Sequence, residues 1–213
     1  MASQRGGTAN LGGRPPLSDE ARRQQGLKIS RAAVRLFREQ GVAGTSGAQI
    51  AKAAGVSERT LWRLFRTKES CVQPLLTKSL DAFCEVLRTW PAGRDLPDHL
   101  RANYTFVPED SRADIDALLA VVRMSRSEPA LRAAWLVLQE RAEPTLADVL
   151  SGRLGLPPDT PEVRLAAATM NAALRLVTDD FAWATANGVT ADEVTRHRKR
   201  LADTLRAYTS RML

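Results

Sequence analysis

Cysteine, histidine and aromatic residues are all scarce in this chain. Cys71 and Cys84 are the only cysteines, and His99 and His197 the only histidines. No CxxC pair and no Cys/His cluster exists, which excludes a disulfide framework and a structural zinc site. Both thiols read as small buried apolar groups in a reducing compartment. No apolar run approaches the ~20 residues needed to span a bilayer. The amino-terminal stretch is polar and Gly-rich, without the apolar segment of a secretory signal. A cytoplasmic protein without membrane contact is therefore expected. GxSxG, HExxH, P-loop and GxGxxG patterns are missing, and the two histidines stand alone. Asp179-Asp180 reads as a solvated helix face, not a catalytic pair. No enzyme, metal site or cofactor is expected. Strand-like alternation and internal repeats are absent too, so the fold class is all-α.

What remains is apolar enough to fold, since 44% of the residues are hydrophobic. The formal net charge of +7 is unevenly placed. Residues 1–70 hold thirteen Arg or Lys against five Asp or Glu, a net +8, and residues 71–213 hold eighteen against nineteen, a net −1. The basic excess thus belongs to one end of the chain, which points to a polyanionic partner for that end.

The same end carries the most informative stretch, Ala48–Lys68. Ile50, Ala51 and Ala54 mark the apolar side of a short helix, which Gly55 stops because glycine takes the left-handed conformation without steric penalty. Ser57 caps a second helix with Glu58 in its first turn. Leu61 and Phe65 lie on the inner side of that helix, while Glu58, Arg59, Thr60, Trp62 and Arg63 point outward. Helix, glycine turn, helix is the helix-turn-helix layout, whose second helix enters the DNA major groove. A surface helical hairpin is the competing account of this stretch alone.

Upstream, Met1–Pro16 forms a flexible basic arm, assigned as residues 1–17. Arg14, beside Gly and Pro, suits a minor groove, and a plain unstructured leader is the alternative. Ser18, Asp19 and Glu20 start a helix with the stripe Ile29, Ala33, Leu36 and Phe37, ended by Gly41. Thr45 and Ser46 open the next helix, Ser46 and Gln49 having capping-box spacing, and such an end can hold phosphate. Residues 18–67 are thus a three-helix DNA-binding domain and 68–213 a larger helical domain, with about nine helices in all. The larger domain begins with a fourth helix to about Arg88. Helices follow at Asp98–Phe106, Arg112–Ser127 and Ala130–Arg153, where Pro144 kinks the last or starts a new one. Two long helices close the chain. Val163, Ala167, Leu174, Val177 and Phe181 in the first, with Val194, Leu201, Leu205 and Tyr208 in the second, recur at heptad-like spacing. Intramolecular core explains such seams as well as a dimer interface does; two in succession favour the interface.

With these residues in view, the chain resembles the TetR/AcrR family of bacterial transcriptional repressors. The resemblance is carried by Phe37-Arg38-Glu39-Gln40-Gly41, Gly44-Thr45-Ser46, Ile50-Ala51-Lys52-Ala53-Ala54-Gly55-Val56-Ser57, Thr60-Leu61-Trp62-Arg63-Leu64-Phe65 and Lys68-Glu69, about a quarter of the chain. It implies a homodimer on a near-palindromic double-stranded DNA operator, released by a small-molecule inducer, with the last two helices as dimer interface. Thr45 and Ser46 would then touch phosphate, Glu58, Arg59, Thr60 and Arg63 would face bases or nearby phosphates, and Lys68 would reach the DNA backbone. Trp62 replaces the usual tyrosine, Leu64 a tyrosine or histidine, and Gly47 an apolar residue. An inducer pocket in the second domain is implied as well. Phe83, Trp90, Phe106, Trp135, Met170 and Trp183 are candidate walls, and Arg123, Asn171 and Arg175 candidate anchors for a polar or anionic group. Ordinary core packing competes with each of these pocket assignments. The rival function is a helical protein-interaction adaptor that never binds DNA.

Overall fold

A computed structural model describes residues 18–91, 93–103, 112–186 and 190–212. Among these residues it contains ten α-helices and no strand. The first three, α1 (Asp19–Gln40), α2 (Gly47–Ala54) and α3 (Glu58–Leu64), form the amino-terminal bundle. A 3-10 turn at Glu69–Val72 leads into α4 (Gln73–Arg88). Then come α5 (Leu96–Asn103), α6 (Arg112–Met124), α7 (Pro129–Glu140), α8 (Glu143–Leu154), α9 (Pro161–Ala184) and α10 (Ala191–Met212).

Local chemistry sets most of these boundaries. Pro stands within the first turn of α4, α7, α8 and α9, where its missing N–H removes no helical bond and its fixed φ suits the helix. Pro144 therefore starts a helix rather than kinking one, and the segment from Ala130 to Arg153 is two helices joined at Arg141 and Ala142. The Ser18 hydroxyl accepts from the Ala21 amide and caps α1.

Two apolar clusters hold the molecule together. The first joins Ile29, Ala33 and Phe37 of α1, Ile50 of α2 and Leu61 of α3 to Leu75 and Leu76 of α4. It continues without a break into Leu118 and Leu119 of α6 and Trp135 of α7. The second gathers Leu87 of α4, Leu96 of α5, Leu146 and Leu150 of α8, Met170 and Leu174 of α9 and Leu201 of α10. Helix α4 contributes to both clusters, so it is the beam that links the amino-terminal bundle to the rest. Cys71 and Cys84 are free and buried, and burial pushes the Cys71 thiol up to about 12. Among the described residues, no helix is long and apolar enough to cross a membrane, and no group of His, Cys, Asp or Glu is placed to hold a metal ion.

Candidate nucleic-acid interface and internal cavity

The turn between α2 and α3 is built from local bonds. The Ser46 hydroxyl accepts from the Gln49 amide, while the Gln49 side chain accepts from the Ser46 amide, a complete capping box. Gly55 ends α2 at φ 64°, ψ 39°, and its N–H and that of Val56 close back on carbonyls of α2. The Ser57 hydroxyl accepts from the Thr60 amide and starts α3. Leu61 and Phe65 are buried beneath α3. Glu58, Arg59, Trp62 and Arg63 are exposed and Thr60 is half-exposed. Arg66 adds a further exposed cation just after the helix. Among the described residues no carboxylate pairs with Arg59, Arg63 or Arg66, so three guanidinium groups stand ready at one rim of the bundle.

Two residues that depart from the family pattern turn out to be one contact. A methyl group added to Gly47 would sit 2.0 Å from Cζ2 and 2.6 Å from Cη2 of Trp62. The six-membered edge of the Trp62 indole of α3 thus lies against the first residue of α2, in space that any side chain at position 47 would occupy. This contact adds to the buried Ile50 and Leu61 in joining α3 to the start of α2. Trp62 remains 44% exposed, so its outer face is still available to a ligand.

Two neighbouring candidates make hydrogen bonds within the protein. Thr45 is buried, its amide donates to the Val42 carbonyl and its hydroxyl to the Gly41 carbonyl. Both donors are engaged within the loop, so Thr45 shapes the approach to α2 and has none left for a phosphate. Ser46 is exposed, and its hydroxyl oxygen accepts from the Gln49 amide. The Lys68 ammonium donates to the Val42 carbonyl at 2.6 Å and the Thr45 carbonyl at 2.9 Å. It braces the loop before α2 with two of its three N–H donors and sits half-buried. Arg14 lies outside the described residues.

Sequence reasoning missed the group that ties this bundle to the body. Asp114, near the start of α6, accepts from Arg31 of α1 at 2.6 and 2.8 Å and from Lys78 of α4 at 2.7 Å. The Arg31 hydrogen bond holds the buried Asp114 carboxyl down at about 2, against the opposing effect of burial, with Lys78 adding to the shift. Only the concentration of basic residues on α1 hinted at a carboxylate partner.

The second half holds a partly open cavity of about 70 Å³ between α4, α6, α7, α9 and α10. Phe83, Trp135 and Asn171 line it, as the sequence suggested. Ser79, Gln139, Thr178 and His197 line it as well, and these were not foreseen. Several expected members stand elsewhere. Met170 is packed in the second core cluster. Trp90 lies at the end of α4 under the Arg153 guanidinium and donates to the Arg94 carbonyl. Trp183 is 46% exposed, with Arg126 over its ring. Arg123 donates to the Ala182 carbonyl, and Arg175 faces Asp179 at 3.6 Å. Both arginines are held by protein oxygens, which takes them away from any role as anchors in the cavity. Phe106 lies outside the described residues.

The seam assigned to a dimer interface is likewise corrected. Val163, Ala167, Leu174, Val177, Phe181 and Leu201 are buried within the single chain, and Val194 packs on the first core cluster. Helix α9 is covered by α6, α7, α8 and α10, so this stripe is intramolecular core. The side chains of Leu205 and Tyr208 lie outside the description. The other side of α9 carries Leu165 and Leu176, exposed by 66% and 57%. With Trp183 they form a second apolar line at helical spacing. The outer face of α10 bears charges instead, Lys199 and Arg200 among them.

Comparison with known proteins agrees with this geometry. Residues 29–75 match the model of "Bacterial regulatory proteins, tetR family". The chain is similar to the HTH-type transcriptional regulator TcmR of Streptomyces glaucescens, with 30% identity over 148 residues, 67% of this chain and 66% of that protein. The match thus spans about two thirds of the relative's length. Among solved structures it is similar to FadR of Thermus thermophilus, a TetR family transcriptional repressor in complex with lauroyl-CoA, at 25% identity and TM-score 0.52, covering 88% of this chain and 95% of that one. It shares its fold with the fatty acid degradation regulator FadR from Bacillus halodurans, at 22% identity and TM-score 0.58, over 85% of this chain and 94% of that one. A TetR-family regulator from Mesorhizobium loti aligns at 20% identity and TM-score 0.56 over 91% of this chain and 98% of that one.

Proposed function

Because this chain belongs to the TetR family of bacterial regulatory proteins, we propose that it is a DNA-binding transcriptional regulator, a repressor that a small-molecule effector releases from its operator. The observation that carries the reading is the exposed face of α3, where Arg59, Arg63 and the adjacent Arg66 stand without carboxylate partners among the described residues. The cations supply a salt-dependent attraction to phosphates, and one arginine against guanine supplies sequence reading. Ser46 and the open amino-terminal end of α2 take an adjacent phosphate.

Two copies act together. The dimer face is the outer line of α9, Leu165, Leu176 and Trp183, since an exposed apolar line of this length on a helix calls for cover. An effector in the internal cavity shifts α4, and α4 carries the movement to the reading helices through the Arg31–Asp114–Lys78 cluster.

The test is a gel-shift assay of purified protein on genomic fragments selected for binding, run from low to high salt. Affinity that falls steeply with salt and prefers one near-palindromic sequence is expected. Absence of binding to any duplex would favour a protein-interaction adaptor.

A further inference from the structure

The cavity's chemistry narrows what can enter it. Its walls are mostly apolar, with Phe83, Leu118, Trp135 and Leu174 prominent. Its polar groups are Ser79, Gln139, Asn171, Thr178 and His197, and among the described residues no Lys, Arg, Asp or Glu lines it. Two carboxylates lie immediately behind this lining. The Glu143 carboxylate accepts from the Asn171 amide at 3.1 Å. The Asp179 carboxylate accepts from the Trp135 indole N–H at 3.1 Å. The cations closest to Asp179, Arg132 and Arg175, face that carboxylate at 3.4 and 3.6 Å. An anion entering here would leave water and find no cation in the wall, since the two guanidinium groups in the layer behind it are already engaged by Asp179, and Glu143 adds a carboxylate beside Asn171.

We infer that the effector of this chain is an uncharged, predominantly apolar small molecule bearing hydroxyl or carbonyl groups, and that carboxylates and acyl-CoA thioesters are excluded. The inference rests on the ligand-responsive reading above and adds the class of ligand. Hydroxyl or carbonyl groups are needed because Ser79 and Gln139 present a hydroxyl and an amide that a purely hydrocarbon guest would leave desolvated, while Asn171, whose Nδ2 is engaged by the Gln139 carbonyl and Glu143, offers its side-chain carbonyl as an acceptor. The cavity of about 70 Å³ is smaller than the ~150 Å³ that accommodates benzene in an engineered apolar site. Entry therefore displaces a wall, and the half-buried Ser79, Leu80 and Phe83 form the wall that belongs to α4. Binding is in this way coupled to the helix that reaches the DNA-binding bundle.

The probes are 2-naphthol and 2-naphthoate, which share one ring body and differ in charge at neutral pH, with lauroyl-CoA as a third arm. Calorimetric titration of the full chain should show 2-naphthol binding at least tenfold tighter than 2-naphthoate, and lauroyl-CoA failing to compete. The Gln139→Lys variant, which adds an ammonium group to the wall, should reverse the order of the two naphthalenes. Ser79→Trp, which fills the space, should abolish naphthol binding while the melting curve remains cooperative. Equal or tighter binding of 2-naphthoate, competition by lauroyl-CoA, or no binding of 2-naphthol to folded protein would overturn the assignment. A gel shift on the same sample separates the two readings. Retained DNA binding with any of those results overturns the ligand class alone, whereas loss of DNA binding tells against the regulator itself.

Discussion

The contact between Gly47 and Trp62 allows a quantitative test of how the reading helix is held. In Gly47→Ala, the new Cβ would lie 2.0 Å from Trp62 Cζ2 and 2.6 Å from Cη2. Carbon atoms rest at about 3.5–4.0 Å, so the ring must retreat by roughly 1.5 Å or swing out. Overpacking of this kind costs about 1–3 kcal/mol. Against it stands the gain from replacing glycine in a helix, about 0.5–1 kcal/mol and less at a first position. The net expectation is a loss of about 1–2 kcal/mol, which lowers the melting temperature by about 2–8 °C for a chain of this size. Operator affinity should fall too, because displacing the indole moves an exposed residue of α3 that packs on the start of α2. The double variant Gly47→Ala with Trp62→Tyr should recover most of the stability, since the narrower ring leaves space for the methyl group. Melting curves of the wild type, both single variants and the double variant form the cycle, with a coupling of about 1 kcal/mol or more expected. If Gly47→Ala were neutral or stabilising with Trp62 in place, or equally costly in the Trp62→Tyr background, the packing argument would be refuted.

Further outcomes can be checked. Arg63→Ala should weaken cognate DNA binding by about 1–3 kcal/mol and non-specific binding by less, compared by gel shift on cognate and scrambled duplexes. Leu176→Glu, on the exposed side of α9, should yield monomers at micromolar concentration in sedimentation, whereas Leu174→Glu, buried in the same helix, should unfold the chain. The Asp114 carboxyl has an ordinary value of 3.8, lowered to about 2 in the folded protein. A depressed carboxyl stabilises the fold above its unfolded value, and that contribution disappears as pH falls from about 4 toward 2. Asp114→Asn should thus cost about 1–2 kcal/mol in urea unfolding at pH 7, allowing for screening at the half-exposed Arg31 and Lys78, and almost nothing near pH 2. Lys68→Met should lower stability through the loss of two carbonyl partners, with little change in the salt dependence of DNA binding.

The stretch from Ser46 to Phe65 was readable from sequence because its determinants are local. Capping serines, the turn glycine and an apolar residue every third or fourth position act within a few residues of one another. Pairings across long separations were not readable. Gly47 and Trp62 looked like two unrelated departures, and Asp114 meets Arg31 across 83 residues and Lys78 across 36. The error on α9 has a physical origin. That helix is apolar on most of its circumference, so periodicity alone does not say which stripe faces inward. The stripe Val163 through Phe181 is a packing line, but its partners are α6, α7, α8 and α10 of the same chain. The arginines expected in the cavity failed for a related reason, since their nearness to apolar stripes gave no sign of the Ala182 carbonyl and the Asp179 carboxylate that hold them.

One apolar cluster runs from Ile29 through Leu61 and Leu76 to Leu119 and Trp135. A chimera cut at residue 67 would therefore sever hydrophobic matter on both sides and leave Leu75, Leu76 and Leu119 without their cover. Swapping operator preference between such regulators should succeed when the donor fragment brings its own α4 and the matching α6 surface, or when only the outward side chains of α3 are exchanged. The graft boundary is set by where greasy contacts end rather than by where the reading motif does.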